Sequence, residues 1–321
     1  SRAVILTGKH SHINGKIDNL SPFDATNVTF PQLLKHSGYQ TAMFGKLHFG
    51  NNPKGFDEFK ILPGQGDYYN PTFNTSEGDT TITGYVTDII TDLTLDWMEN
   101  RRDTLKPFLL IYLHKAPHRT WMPAERHYTS FTKKSFPLPA SLFDEHQTRE
   151  TTAGPAEMGI LDHMLLRYDL KIPLDVLENI GVKERLGAGG VNKLNPEQKA
   201  KWDAIYNPIS IDFETKYPSM NDSTLAVWKY QRYMQDYLGT IAGVDENVGR
   251  LLDYLDAENL SDNTLIVYTS DQGFYLGEHG WFDKRFMYNE SFKTPLLIKW
   301  PHVITPNTTE DEMVQNLDFA Q

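Results

Sequence analysis

The apolar runs of this chain are short and regularly interrupted, and that spacing limits its fold more than any other feature. Phe108-Leu109-Leu110-Ile111-Tyr112-Leu113 is unbroken, as expected of a central strand buried on both faces. Leu265-Ile266-Val267-Tyr268 reads the same way, and Pro295-Leu296-Leu297-Ile298-Lys299-Trp300-Pro301 reads as a strand that its prolines confine to a sheet edge or strand end. Between such runs the period changes to that of a helix. Gln32 to Ser37 suggests a short helix stopped by Gly38, followed by a strand over Tyr39-Gln40-Thr41-Ala42-Met43-Phe44. Ile89, Ile90, Leu93 and Trp97 form one helical stripe, and Leu238, Ile241, Val244, Val248, Leu251, Leu252 and Leu255 form a longer one. Alternation of this kind predicts an α/β fold, with a mostly parallel central sheet and helices on both faces.

At 321 residues and 39% hydrophobic content the chain can bury a sizeable core. No apolar run approaches the roughly 18 residues of a membrane span. A formal charge of −11 argues against a nucleic-acid partner, because such a surface repels a phosphate backbone. Any anionic ligand must therefore be held by local cations. The absence of cysteine removes disulfides, zinc-thiolate sites and thiol nucleophiles from this stretch. Both ends read as cuts: Ala3-Val4-Ile5-Leu6 begins with no leader before it, and Asn316 to Gln321 is apolar-periodic with no terminator. From about residue 119 to 224 the periodicity weakens around Gly187-Ala188-Gly189-Gly190 and scattered prolines, which suggests a long insertion near the mouth of a site.

Ligands of open α/β sheets bind beyond the carboxyl ends of the strands, and three of the expected strands end in polar groups. The first runs into Gly45-Lys46-Leu47-His48-Phe49-Gly50, where Lys46 and His48 share a face if strand geometry persists. The second exits through Ala116-Pro117-His118-Arg119, where His118 could act as a general acid. The third ends at Ser270-Asp271-Gln272-Gly273, a carboxylate and an amide oxygen of the kind that hard cations favour, so calcium, or magnesium, is the expected metal. Lys284, in Gly277-Glu278-His279-Gly280-Trp281-Phe282-Asp283-Lys284, could hold an ammonium over an anion, or pair with Asp283 at the surface.

Taken together these segments resemble the type I, formylglycine-dependent sulfatase family. Its modification motif runs Cys or Ser, any residue, Pro, Ser, Arg, then a small apolar stretch and Thr-Gly; Ser1-Arg2-Ala3-Val4-Ile5-Leu6-Thr7-Gly8 is similar to the second half. Gly38-Tyr39-Gln40-Thr41-Ala42 with Gly45 to Gly50 is similar to the second signature, and Ala116-Pro117-His118, Asp271-Gln272-Gly273 and Lys284 follow in family order. The resemblance implies an alkaline-phosphatase-like fold. It also implies that residues 1–321 are a partial catalytic domain, with the nucleophile and metal segment and a C-terminal subdomain lying outside them.

The same resemblance implies roles. A formylglycine, made by a maturation enzyme from a Cys or Ser just ahead of Ser1, would be the nucleophile, and the chain without it is expected to hydrolyse nothing. Arg2 would fix that group, Lys46 and Lys284 would hold sulfate oxygens, His48 would accept a proton, and His118 would protonate the leaving oxygen. Asp271 and Gln272 would be metal ligands, with Gln272 standing where relatives carry Asn or His. Arg119 and His279, with Trp121 and Trp281, would contact a sugar. The expected substrate is a sulfated carbohydrate, in particular 6-sulfated N-acetylglucosamine, and the expected location is exported: periplasmic, lysosomal or extracellular. The alternatives are a phosphate or phosphonate monoesterase of the same superfamily and an inactive relative that binds sulfated glycans.

Overall fold

The computed structural model describes residues 1–149, 151–184 and 186–320. Gln321, at the end of the apolar-periodic tail, lies outside them. The chain forms two compact units, one of residues 1–115, 246–272 and 294–321, the other of residues 116–245 and 273–293. The strands of the first unit are β1 (Gln40–Gly45), β2 (Glu58–Ile61), β3 (Thr72–Thr75), β4 (Gly78–Thr81), β5 (Phe108–Leu113), β6 (Ile266–Thr269) and β9 (Leu296–Lys299); those of the second are β7 (Tyr275–Leu276) and β8 (Phe282–Asp283).

In the first unit, five strands form a sheet of order β4-β3-β2-β1-β5. The pairs β1–β2 and β1–β5 are parallel, and β3 and β4 add antiparallel strands at one margin, so the sheet is mixed around a parallel core. Register sets Gly45 opposite both Ile61 and Leu113, so three parallel strands finish level with one another. Helices α1 (Arg2–Thr7) and α2 (Phe30–His36) cover one face: Ala3 and Leu6 pack with Met43 and Ile61, and Phe30 borders the cluster. Gly8 closes α1 in the left-handed conformation at φ 62°, with its N–H on the Val4 carbonyl. At the start of α2 the Gln32 side chain accepts from the Thr29 N–H at 2.9 Å, and Pro31 lies in the first turn, where no donor is lost. The other face carries α3 (Val86–Asp96), with Trp97 centred 6.4 Å from Phe44 and Thr91 hydrogen-bonded to the Tyr112 hydroxyl at 2.6 Å. The alternation Met43 inward one way and Phe44 the other is the period-two pattern of a covered strand.

Two strands read as fully buried are not. β5 lies at the margin of its sheet and every residue in it is half-buried, and Val267 and Tyr268 of β6 are 41% and 43% exposed. β6 pairs only with β9, antiparallel, among the described residues. A marginal strand keeps one backbone edge uncovered, and a two-stranded ribbon is too narrow to shield both faces, whatever the apolarity of its sequence.

The second unit contains all of residues 119–224 and has its own core, in which Trp121, Tyr233, Phe213, Met164 and Leu177 are fully buried. Weak periodicity hid a 21-residue helix there, α4 (Pro196–Lys216). Its buried face, Trp202, Tyr206, Ser210 and Phe213, follows helical spacing but includes a serine and few aliphatics. Asn195 and Gln198 cap it reciprocally at 2.9 Å. The long stripe found in the sequence is the latter part of α5 (Asp222–Ala257), a 36-residue helix whose last turns belong to the first unit.

Candidate functional site

In the first unit, Arg2 organises the strand ends. Its Nη1 donates to the Lys46 carbonyl at 2.8 Å and the Leu47 carbonyl at 3.1 Å, while Nε lies 3.2 Å from Asp271 Oδ2. One guanidinium thus joins the exit of β1 to the exit of β6, a bridge that a fork of five donors can make and an ammonium cannot. Lys46 is 4% exposed and donates to Gln65 Oε1.

The strand geometry that would put Lys46 and His48 on one face does not persist to them. β1 ends at Gly45, and His48 has φ 61°, so the side chains are related by a left-handed turn and not by the pleat. The residue before them is constrained too. Gly45 has φ 115°, and a Cβ there would meet the Leu113 carbonyl oxygen at 1.7 Å. Only glycine lets β1 lie against β5 where Lys46 departs.

Asp271 Oδ2 is engaged by Arg2, its carbonyl accepts from Asn316 Nδ2 at 3.1 Å, and the Gln272 carbonyl accepts from Ser270 Oγ at 2.8 Å. Among the described residues no group of three or more His, Asp or Glu side chains is placed to hold a metal ion. A calcium ion takes six to eight oxygens. Asp271 and Gln272 supply part of such a set at most, so these residues do not by themselves make a calcium site.

Sequence reasoning missed Gln65 and Lys115. Lys115 is 5% exposed, donates to the Gln65 carbonyl at 3.0 Å and sits 4.7 Å from the Tyr68 ring centre. The available signal was position: Lys115 lies two residues beyond the end of β5.

The second unit holds the other candidates. His118 Nδ1 lies 2.8 Å from the Arg119 carbonyl oxygen. A carbonyl only accepts, so Nδ1 carries the proton in this contact. Arg119 grips Asp169 through Nε at 2.5 Å and Nη2 at 2.7 Å, with its guanidinium about as far from the Tyr168 ring (5.2 Å) as from Phe282 (5.1 Å). Burial opposes the Arg119 charge, but the Asp169 bond and charge outweigh it and hold the pKa above its ordinary value. The next two residues are fastened as well: Thr120 Oγ1 donates to the Gly189 carbonyl at 2.6 Å, and the Trp121 carbonyl accepts from the fully buried Lys171 ammonium at 2.7 Å. Asp169 and Lys171, also missed in the sequence, position this loop.

His279, at φ 58°, has Nδ1 3.3 Å from Asp144 Oδ2 and its ring centre 4.7 Å from that of Tyr288. Arg149 also donates to Asp144, and His146 stacks on Trp281 with centres 4.8 Å apart. Partial burial works against the Asp144 carboxylate, but the His146 backbone N–H and the Arg149 and His279 side chains hold its pKa well below the usual range. Lys284 Nζ forms an ion pair with Asp283 Oδ1 at 3.1 Å and lies 5.6 Å from the Phe274 ring.

A mixed sheet with helices on both faces, whose parallel strands end in buried cations, defines a protein of the alkaline-phosphatase-like class of α/β folds. The chain belongs to the sulfatase family, whose model matches residues 1–321. It is 46% identical over 323 residues to the N-acetylglucosamine-6-O-sulfatase of Bacteroides thetaiotaomicron, covering 100% of this chain and 57% of that protein. Likeness to the human N-acetylglucosamine-6-sulfatase is 24% over 346 residues, again across 100% of this chain and 51% of the relative. A solved structure in complex with its substrate D-glucosamine-2-N,6-O-disulfate superposes with a TM-score of 0.92 at 46% identity, over 99% of this chain and 64% of that one. The chain therefore spans little more than half the length of the curated relatives it matches.

Proposed function

We propose that this chain carries the anion-handling part of a sulfuric ester hydrolase that acts on a 6-O-sulfated glucosamine. The observation that supports this best is the buried Lys46 ammonium at the end of a parallel strand, its backbone tied through Arg2 to Asp271. Whole-chain similarity to a protein named for that reaction points the same way.

As a sulfate ester breaks, negative charge moves onto the bridging oxygen, and fixed cations in a water-poor setting lower the energy of that change. Lys46 and Lys284 are the proposed sulfate-oxygen ligands. Arg2 orients the strand exits that present Lys46. His48 takes up a proton, and His118 delivers one to the departing sugar oxygen. Arg119 and His279 contact the sugar, each held in advance by a carboxylate, Asp169 and Asp144 respectively. The family likeness implies a formylglycine, formed by a maturation enzyme from a Cys or Ser ahead of Ser1, which would supply the nucleophilic oxygen. It also implies calcium, or magnesium, with Asp271 and Gln272 among its ligands. A sulfated glycan substrate fits export to the periplasm, lysosome or cell exterior. Among the described residues no helix is long and apolar enough to cross a membrane.

The test is turnover by the full-length, matured protein of glucosamine 6-O-sulfate, its 3-O-sulfated isomer, an aryl sulfate and an aryl phosphonate, with released anion quantified. Release from the 6-O-sulfate and the aryl sulfate is expected. Faster turnover of the phosphonate would overturn the reading in favour of a phosphonate monoesterase, and binding of sulfated glycan with no turnover in favour of a binding protein.

A further inference from the structure

Nδ1 of His118 donates to the Arg119 main-chain oxygen at 2.8 Å, so the direction of the ring follows the peptide that leaves Arg119. That peptide is fastened on both sides. Before it, the Arg119 side chain closes on Asp169 through Nε at 2.5 Å and Nη2 at 2.7 Å. After it, Thr120 Oγ1 donates to the Gly189 carbonyl at 2.6 Å, and the Trp121 carbonyl accepts from Lys171 Nζ at 2.7 Å. All three fastenings come from the stretch between Asp169 and Gly189, in the same unit as His118. The two ends of that stretch lie against one another, since a Cβ on Gly189 would meet the Tyr168 carbonyl oxygen at 1.9 Å. We infer that Asp169 is the positioning residue of the proton donor: through Arg119 it aims His118 at the leaving oxygen. This deepens the reading of His118 as the group that protonates that oxygen and rests on it.

A carboxylate and a guanidinium taken out of water contribute little net stability compared with apolar side chains of similar volume. Yet the Asp169 side chain is fully buried and that of Arg119 only 24% exposed. What a fork-on-fork contact supplies is direction, because two parallel N–H···O bonds stop the guanidinium from swinging about a single axis. Asp169 is oriented in turn: Oδ2 also accepts from the Leu165 N–H at 2.8 Å. Lys171 is tied at 3.1 Å to Asp236 of α5. A general acid acts only when its proton lies in line with the oxygen that takes it. As the S–O bond breaks, its electron pair stays on the bridging oxygen and takes the His118 proton, and the alcohol departs neutral. Loosening the Arg119 peptide therefore slows esters whose leaving group needs that proton. A nitrophenolate departs as a stable anion without it, whereas a phenolate or a sugar alkoxide does not.

The experiment compares the full-length, matured enzyme with three variants. Asp169→Asn removes the charge, Arg119→Met/Asp169→Leu removes the whole clamp, and Asp212→Asn breaks only an exposed ion pair with Lys216. Turnover is followed on aryl sulfates running from nitrophenyl to unsubstituted phenyl, none of which presents a sugar to Arg119. Asp169→Asn and the double variant are expected to match the wild type on the nitrophenyl ester and to lose about a hundredfold in kcat on the phenyl ester. The fall of rate with phenol basicity thus steepens, and Asp212→Asn follows the wild type throughout. An equal loss on every ester would overturn the assignment, since general damage to the fold gives that result. If neither Asp169 variant folds, Arg119→Lys, which keeps a charge opposite Asp169 but not the fork, takes their place on the same series. NMR of the labelled imidazole nitrogens reads the His118 ring without turnover. The neutral wild-type ring is expected to carry its proton on Nδ1, and the Asp169→Asn ring to exchange it between both nitrogens. A wild-type ring protonated on Nε2 alone, or a ring unchanged in folded Asp169→Asn, refutes the idea. An enzyme that prefers phosphonates is assayed on the matching aryl phosphonates, so the sulfatase reading can fail while the role of Asp169 stands.

Discussion

Arg2 Nε and Asp271 Oδ2 lie 3.2 Å apart although 269 positions separate them in the chain. The pair is only part of what Arg2 does, because the same guanidinium also closes on the Lys46 and Leu47 carbonyls. Arg2→Lys is therefore expected to lose about 1–3 kcal/mol in urea unfolding, since an ammonium cannot span all three acceptors. Asp271→Asn removes only a pair that is about a quarter exposed on each side and is expected to cost about 1 kcal/mol or less. The ordering is the test: an Asp271→Asn protein less stable than Arg2→Lys contradicts it.

Asp169 is fully buried and takes both arms of Arg119. Removing the carboxylate leaves a guanidinium buried without its counter-charge, so Asp169→Ala should destabilise by about 3–5 kcal/mol. The Arg119→Met/Asp169→Leu double variant, which removes both charges, should cost less than the two single changes added together. Simple additivity in a double-mutant cycle would show that the two side chains are not coupled.

His114 makes stability depend on pH. Both its ring nitrogens are buried and without hydrogen-bond partners, its ring lies 4.3 Å from that of Tyr112, and burial pushes its pKa down to about 3, with the Asp88 charge opposing. Between about 6.5, the ordinary value, and about 3, the unfolded chain binds a proton that the folded chain refuses. Stability from this group is complete above pH 6.5 and falls as the pH drops through that window, by an amount on the order of several kcal/mol. His114→Leu should flatten this acid limb and raise the melting temperature more at pH 5 than at pH 8. Equal shifts at both pH values would rule out the protonation account.

Gly45 and Gly38 separate conformation from crowding. Gly38, at φ 93°, has nothing within 4 Å of an added Cβ, so Gly38→Ala costs only strain, about 1–2 kcal/mol. Gly45→Ala adds a collision with the Leu113 carbonyl at 1.7 Å and should lose about 3 kcal/mol or more. Similar melting temperatures for the two variants would mean that β1 and β5 separate without cost.

Much of this protein is legible in its residues taken in order. The period of its apolar positions marks β1, β5, β6, β9 and α3, Gly38 marks the end of α2, and the short signatures point to Arg2, Lys46, His118 and Asp271, because such signals are local or nearly so. Other features were decided only in three dimensions. The marginal place of β5 depends on which strands pair with it, not on its own apolarity. How His48 is set relative to Lys46 is decided by a left-handed residue beyond the end of β1 and not by the pleat. Asp169 and Lys171 matter through the loop they hold, about fifty positions away in the chain, and Lys46 and Lys115 meet on Gln65 only once the chain has brought three distant loops together. A sequence records which groups a chain possesses and the period at which it hides them. Charge meets charge across long separations only once strand pairing and burial have chosen their neighbours.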